Sequence, residues 1–267
     1  MTDQALGNVV IEDVRDDDIG ETFRLFFGMC GDEPTELLVV TDANGLFGMT
    51  IDLVRLLQLH GILPSLLVAG VGYASASQLS ETVAVRTRDL TPSPMSAFPG
   101  SGGADSFRRF LRNDVIPRAR AVAPATRSAT YFGHSLGGLF GTYDLVSGDK
   151  VFDRHIISSP SLWWGRRELT RRDLQHVTGE AFFCIGADET DEGRRREGAG
   201  LPDGHHLKPV PNYLDMVADL MEFATTLSQQ ARAGLRMTTL VVPDEYHSTA
   251  SPIALTHGLR WHFEGRT

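Results

Sequence analysis

The chain is short of several things that whole protein classes depend on. Of 267 residues only two are cysteine, Cys30 and Cys184. Two thiols far apart in sequence are not the disulfide framework of a small secreted domain, and Cys184 falls in an apolar run. Both read as reduced packing thiols. No segment approaches the ~18 consecutive apolar residues of a membrane-spanning helix. Residues 1–7, Met-Thr-Asp-Gln-Ala-Leu-Gly, lack the basic-then-apolar pattern of a secretory signal. These absences together predict a cytoplasmic protein with no membrane partner. Positive charge is also scarce. The formal net charge is -9 and the pI is near 5.4, which excludes the broad basic face that nucleic-acid binding needs. Internal repeats and heptads are missing. His205-His206 has no third ligand at recognisable spacing, so no metal is expected. The Gly-rich stretch 99–103 is not followed by Gly-Lys-Ser/Thr, so no phosphate loop is expected, and no cofactor is implied.

What is present suits a folded enzyme. Hydrophobic residues make up 42% of the chain, enough for a substantial core, and the length fits one α/β domain spanning 1–267. Residues 8–29 suggest an antiparallel pair broken at Asp16-Asp17-Asp18-Ile19-Gly20. Leu37–Thr41 and Leu66–Val71 read as buried strands. Between them Ile51, Leu53, Val54, Leu56 and Leu57 mark a helix at three-and-four spacing. Phe107, Phe110, Leu111 and Val115 line another helix that should end near Pro117, with Asp105 as its cap. Ala181–Ile185 and Met237–Val242 complete the buried strands. A long helix is predicted over 212–232, with Leu214, Val217, Leu220, Met221, Ala224 and Leu227 inward. Strands alternating with helices imply a mostly parallel sheet covered on both faces.

The most informative segment is Gly133-His134-Ser135-Leu136-Gly137. It fits the Gly-x-Ser-x-Gly nucleophile elbow, and it lies between the apolar run 129–132 and a helix-like stretch from Leu136 to Val146. That is the strand, tight turn and helix the motif requires. The glycines leave room for a strained turn that lifts the serine hydroxyl into a cleft. In this fold the order along the chain is Ser, acid, His. Seven histidines follow Ser135. His247 is the best placed, in the loop at the carboxyl end of the 237–242 strand, where catalytic groups of open parallel sheets collect. Ser251-Pro252 then opens a last helix, Ser251 as N-cap. His257 and His262 fall inside it and read as surface or packing residues. The 181–185 strand runs into Gly186-Ala187-Asp188-Glu189-Thr190-Asp191-Glu192, four carboxylates in five positions. One of them can orient the imidazole and stabilise its cation; spacing alone does not choose among them.

Several segments taken together resemble the esterase family of α/β-hydrolases, in particular the branch of enterochelin esterases and related siderophore trilactone hydrolases. They are Val40–Phe47, Arg86–Pro92, Gly102–Phe107, Gly133–Phe140 and Ser159–Trp164, in the expected order over roughly residues 20 to 265. The resemblance implies the α/β-hydrolase fold, Ser135 as nucleophile and His247 as base. It favours Glu189 as the acid, about three residues beyond the strand-end glycine. It places the oxyanion donors at the backbone N–H groups of Leu136 and Asn44. The chain departs from the family at Ala43, where a glycine is usual, and at Ser248-Thr249 after the histidine.

The expected activity is therefore cofactor-independent hydrolysis of a small-molecule ester or lactone through an acyl-enzyme. An acyltransferase passing the acyl group to an alcohol, and a hydrolase-fold protein that only binds, are the alternatives. Two loops are expected to shape substrate choice. Residues 73–103 carry Arg86 and Arg88, which can pair with an anionic substrate. Residues 190–211 carry Arg194-Arg195-Arg196 and are long enough for a lid. Trp163 and Trp164 can form an indole wall beside the site.

Overall fold

The structure, a computed structural model, describes residues 9–200, 215–231 and 234–264. Eight strands join one sheet in the order β1-β2-β4-β3-β5-β6-β7-β8. They are β1 (Val9–Asp16), β2 (Glu21–Cys30), β3 (Glu36–Thr41), β4 (Leu66–Tyr73), β5 (Ser128–His134), β6 (Arg154–Ser158), β7 (Gly179–Gly186) and β8 (Leu235–Val242). β1 and β2 pair antiparallel, as does β2 with β4; every pair from β4 through β3 to β8 is parallel. The helices are α1 (Ala43–Leu59), α2 (Val83–Asp89), α3 (Ala104–Phe110), α4 (Ile116–Val122), α5 (Leu136–Leu145), α6 (Asp191–Gly198), α7 (Met216–Gln230) and α8 (Ala250–Phe263). This is the α/β-hydrolase architecture expected from the alternation of strand and helix.

Successive side chains of a strand point to opposite faces, so β3 serves two cores at once. Leu37 and Val39 pack with Phe107, Phe110, Leu139 and Phe223 from α3, α5 and α7. Leu38 and Val40 pack on the other face with Phe47, Ile51 and Val54 of α1 and Leu255 and Leu259 of α8. Central strands buried on both faces read as unbroken apolar runs. That is why β3 and β4 are legible in the sequence.

Several local expectations need correction. The helix through Phe107 does not stop near Pro117. A π turn over Leu111–Val115 joins α3 to α4, and Pro117 falls in the first turn of α4, where an N–H is not needed. Asp105 is not a cap; Gly103 holds that position, and Asp105 accepts a hydrogen bond from the Tyr143 hydroxyl at 2.6 Å. β8 is half-buried rather than buried, because it is the outer strand with β7 as its one neighbour. In α7 the inward set is Met216, Leu220, Phe223, Ala224 and Leu227, whereas Met221 is exposed. Leu214 lies outside the described residues. α8 begins before Ser251, with Thr249 at the cap position, because the N–H groups of Thr249 and Ala250 both bond to Tyr246 O and start the coil early.

Candidate active site

The carboxyl ends of β3, β5, β6, β7 and β8 meet at one edge of the sheet, and the candidate site is built there. Ser135 follows β5 directly and has φ 61° and ψ -115°, outside the ordinary wells of a non-glycine residue. Crowding makes the flanking glycines obligatory. A Cβ on Gly133 would stand 2.5 Å from Gly137 O, and one on Gly138 would stand 2.6 Å from Ser158 O. Beneath the turn the buried Tyr131 hydroxyl donates to Gly137 O at 2.7 Å and meets Thr41 Oγ1 at 2.9 Å. The elbow is thereby tied to the end of β3. The Ser135 N–H donates to Ser158 O at 3.0 Å, which ties it also to β6.

His247 lies 112 residues on, in the loop after β8, and its ring reaches both neighbours needed for general-base chemistry. Nε2 is 3.0 Å from Ser135 Oγ, and Nδ1 is 2.6 Å from Glu189 Oε2. Glu189 is fully buried. Its other oxygen accepts from the Gly186 N–H at 2.9 Å and from the Ser159 hydroxyl at 2.5 Å. Geometry thus chooses among the four carboxylates left open by the sequence. Asp188 pairs with Arg196, Asp191 with Arg195, and Glu192 is exposed. A carboxylate on Nδ1 fixes the tautomer in which Nε2 is free to accept the serine proton.

Two helix starts converge beside Ser135. Leu136 opens α5, and Asn44 lies in the first turn of α1, so neither backbone N–H has an intrahelical acceptor. The Asn44 side chain is already committed: it donates to Tyr73 O and Ala76 O and accepts from the Tyr73 N–H. Only its backbone is open to an oxyanion. Next to it Asp42, at φ 57°, caps α1 with its backbone.

The arginine expectation is corrected by what these side chains already hold. Arg86 forks onto Asp42 with bonds of 2.8 and 2.7 Å in a nearly buried pair. Arg88 forks onto Asp89 at 2.7 and 2.9 Å and reaches Glu21 at 3.4 Å. Both guanidiniums are paired with carboxylates of their own fold. The two tryptophans expected to form a wall differ in exposure. Trp164 is buried, its indole N–H on Ser93 O at 3.0 Å, and it packs behind. Trp163 is partly open, and its ring centroid is 6.2 Å from that of Phe98, which is 36% exposed. Of the lid segment, residues 201–211 lie outside the described residues, as do His205 and His206; residues 191–198 form α6. Among the described residues no group of three His, Cys, Asp or Glu side chains is placed to hold a metal ion.

Counting histidines downstream of Ser135 passed over one that the structure brings to the site. His134 sits in the variable position of the elbow, and its ring lies against that of His247, tilted at 38° with centroids 4.6 Å apart. Its Nδ1 is 3.0 Å from Ser158 Oγ. Burial, then the neighbouring His247 and Arg86, push its pKa well below the ordinary histidine value. Ser158 was not singled out, and Ser159 entered only as part of the Ser159–Trp164 segment, with no role of its own.

No family model matches the chain. Among curated proteins it is 28% identical over 240 residues to the ferri-bacillibactin esterase BesA of Bacillus subtilis, covering 84% of this chain and 78% of that one. It is 35% identical over 138 residues to the siderophore triacetylfusarinine C esterase of Aspergillus fumigatus, covering 50% and 47%. Among solved structures it is similar to siderophore hydrolase EstA of Aspergillus nidulans. That match has a TM-score of 0.77 and 22% identity over 98% of this chain and 96% of that one.

Proposed function

We propose that this chain, a serine ester hydrolase of α/β-hydrolase fold similar to siderophore esterases, works through an acyl-enzyme on Ser135. The observation that carries the reading is the unbroken relay from Ser135 Oγ through His247 to Glu189, at 3.0 and 2.6 Å. Ser135 Oγ attacks the ester carbonyl while His247 Nε2 takes its proton. Glu189 stabilises the imidazolium that results. The oxyanion is held by the backbone N–H groups of Leu136 and Asn44, each worth ~3 kcal/mol of transition-state stabilisation. His247 then returns the proton to the leaving alcohol. Water, deprotonated by the same nitrogen, attacks the acyl-enzyme and releases the acid.

The substrate class we propose is a siderophore-type ester or lactone. Two things support it: the named activities of the relatives, and the half-open Trp163–Phe98 pair, which offers a flat apolar surface to an aromatic acyl group. Residues 1–267 act as one catalytic unit on this reading, since the three relay residues follow three strands of one sheet. A cytoplasmic setting fits the two buried free thiols. Among the described residues no helix is long and apolar enough to cross a membrane.

The test is fluorophosphonate labelling and ester turnover in wild type and Ser135→Ala. Labelling at Ser135 and loss of both signals in a folded variant are expected. Wild-type turnover without Ser135 would end the reading. For substrate class, kcat/KM is compared for aromatic and short aliphatic esters in wild type and Trp163→Ala. A loss confined to KM of the aromatic esters is expected. Equal loss for both removes the aromatic-surface idea.

A further inference from the structure

The relay does not explain why a second imidazole stands against the first. We infer that His134 is a positioning residue for His247: an uncharged ring, braced by Ser158, that holds the His247 imidazole in the plane joining Ser135 to Glu189. This rests on the Ser135–His247–Glu189 reading above.

The geometry carries the argument. His247 comes from a loop at the outer edge of the sheet, after a half-buried strand, and a loop side chain has little of its own to fix its ring. Glu189 and Ser135 hold the two ring nitrogens, but these contacts leave the tilt of the ring about the line joining them free. The close contact with His134, tilted at 38°, restricts that freedom, since two rings 4.6 Å apart cannot turn independently. His134 is itself on β5, one residue before Ser135, so base and nucleophile are referred to the same strand end. Its Nδ1 is anchored by Ser158 Oγ at 3.0 Å, while Ser158 O receives the Ser135 N–H at the same distance. Ser159, the next residue, holds Glu189. One dipeptide at the end of β6 therefore supports all three parts of the relay. The left-handed φ of 44° at Ser159 marks the strain of that arrangement.

Neutrality follows from the surroundings. The charged or titratable groups facing His134 are His247 from the loop after β8 and Arg86 from α2; Ser158 of β6 is its uncharged partner. No carboxylate among these favours a cation on His134, and burial opposes one. A charge on His134 would also repel the imidazolium that His247 must become during acylation. An uncharged π face beside that cation is instead mildly attractive.

The experiment compares wild type, His134→Ala, His134→Phe and Ser158→Ala. Each is checked by thermal melting and by fluorophosphonate labelling at Ser135, and each is assayed on a p-nitrophenyl ester over a range of pH. His134→Ala should lower kcat on the order of 10²-fold with KM kept, as misplacing a base by about 1 Å does. His134→Phe keeps a flat neutral face but loses the Ser158 bond, and should recover about tenfold of that loss. Ser158→Ala, which keeps the backbone oxygen, should lower kcat about tenfold. The acid limb of kcat/KM should fall with a one-proton slope in wild type and in His134→Phe alike. In the ¹H NMR spectrum the low-field Nδ1 proton of His247 should broaden in His134→Ala and return in His134→Phe.

Four results would overturn the inference: full kcat in folded His134→Ala, no recovery in His134→Phe, an unchanged kcat in folded Ser158→Ala, or a two-proton limb that becomes one-proton in His134→Phe. The last would mean that His134 titrates. Absence of Ser135 labelling in wild type would instead fail the underlying reading, so the two failures are distinct.

Discussion

Two of the molecule's carboxylate–imidazole pairs, Glu189–His247 and Asp144–His155, invite comparison, and only the first of them faces a hydroxyl. Glu189 and His247 are 2.6 Å apart at the cleft; Asp144 and His155 are 3.0 Å apart beneath α5. In the cleft the imidazole's second nitrogen points at Ser135, and the ring keeps 12% of its surface open. In the interior both side chains are wholly covered, and among the described residues His155 Nδ1 has no partner. Asp144 is instead saturated: it accepts from the N–H groups of Val151 and Phe152 and lies 3.4 Å from the Arg108 guanidinium. The same two functional groups thus meet a serine hydroxyl in one place and clamp the interior in the other. The difference lies in access and in what meets the free nitrogen, not in the pair itself.

Five substitutions break or sharpen that contrast. His247→Ala should give the largest effect, a loss of roughly 10⁴-fold or more in kcat with the melting temperature nearly kept. Glu189→Gln keeps shape but not charge and should cost roughly 10³-fold in kcat. Asp188→Asn and Asp191→Asn should leave turnover unaltered, and a reversal of that order would move the acid elsewhere in the loop. Asp144→Ala should do the opposite of Glu189→Gln. It removes one partner of a buried pair, so denaturant unfolding should show a loss of about 3 kcal/mol or more, with kcat/KM of the folded enzyme retained. If Asp144→Ala silences turnover without destabilising the fold, the division into base and clamp is wrong.

The smallest effect concerns a third buried acid. Asp219 of α7 lies 2.6 Å from Arg167, yet burial outweighs that cation and lifts its pKa to about 6. An acid whose folded pKa exceeds its unfolded one binds protons more tightly when folded. Asp219 therefore favours the native state increasingly as pH falls from about 6 towards 4 and disfavours it above that window, by about 3 kcal/mol at most. Relative to wild type, Asp219→Asn should be more stable at pH 8 than at pH 4. Urea melts at the two pH values measure this, and a difference of the opposite sign would mean that Arg167 dominates.

Most of the fold was legible because its central strands are buried on both faces and its helices carry regular apolar stripes. Ser135 was legible for a different reason: its steric demands fix two glycines around it. His247 was placed by chain order and by its strand-end loop. The acid was not readable from spacing, since all four carboxylates follow the same strand. What separates Glu189 from Asp188 is one residue of turn geometry and the hydroxyl of Ser159, 30 residues earlier in the chain. Arg86 and Arg88 misled because a guanidinium in a cleft-forming loop looks the same in sequence whether its partner is a ligand or the protein's own Asp42. His134 was hidden inside the motif that identified its neighbour.

The position of His247 beyond β8 has a consequence for how the protein becomes active. β8 is the last strand in the chain and the outermost in the parallel part of the sheet. Its pairing with β7 closes a loop that the preceding strands do not require. Non-local strand pairing of this kind is slow, because chain entropy is lost before contacts compensate it. Docking of β8 is therefore expected to be a late step, and esterase activity to arrive with it. A refolding chain should regain its core fluorescence before it regains esterase turnover, and a nascent chain carries an assembled elbow and acid while it still lacks a base.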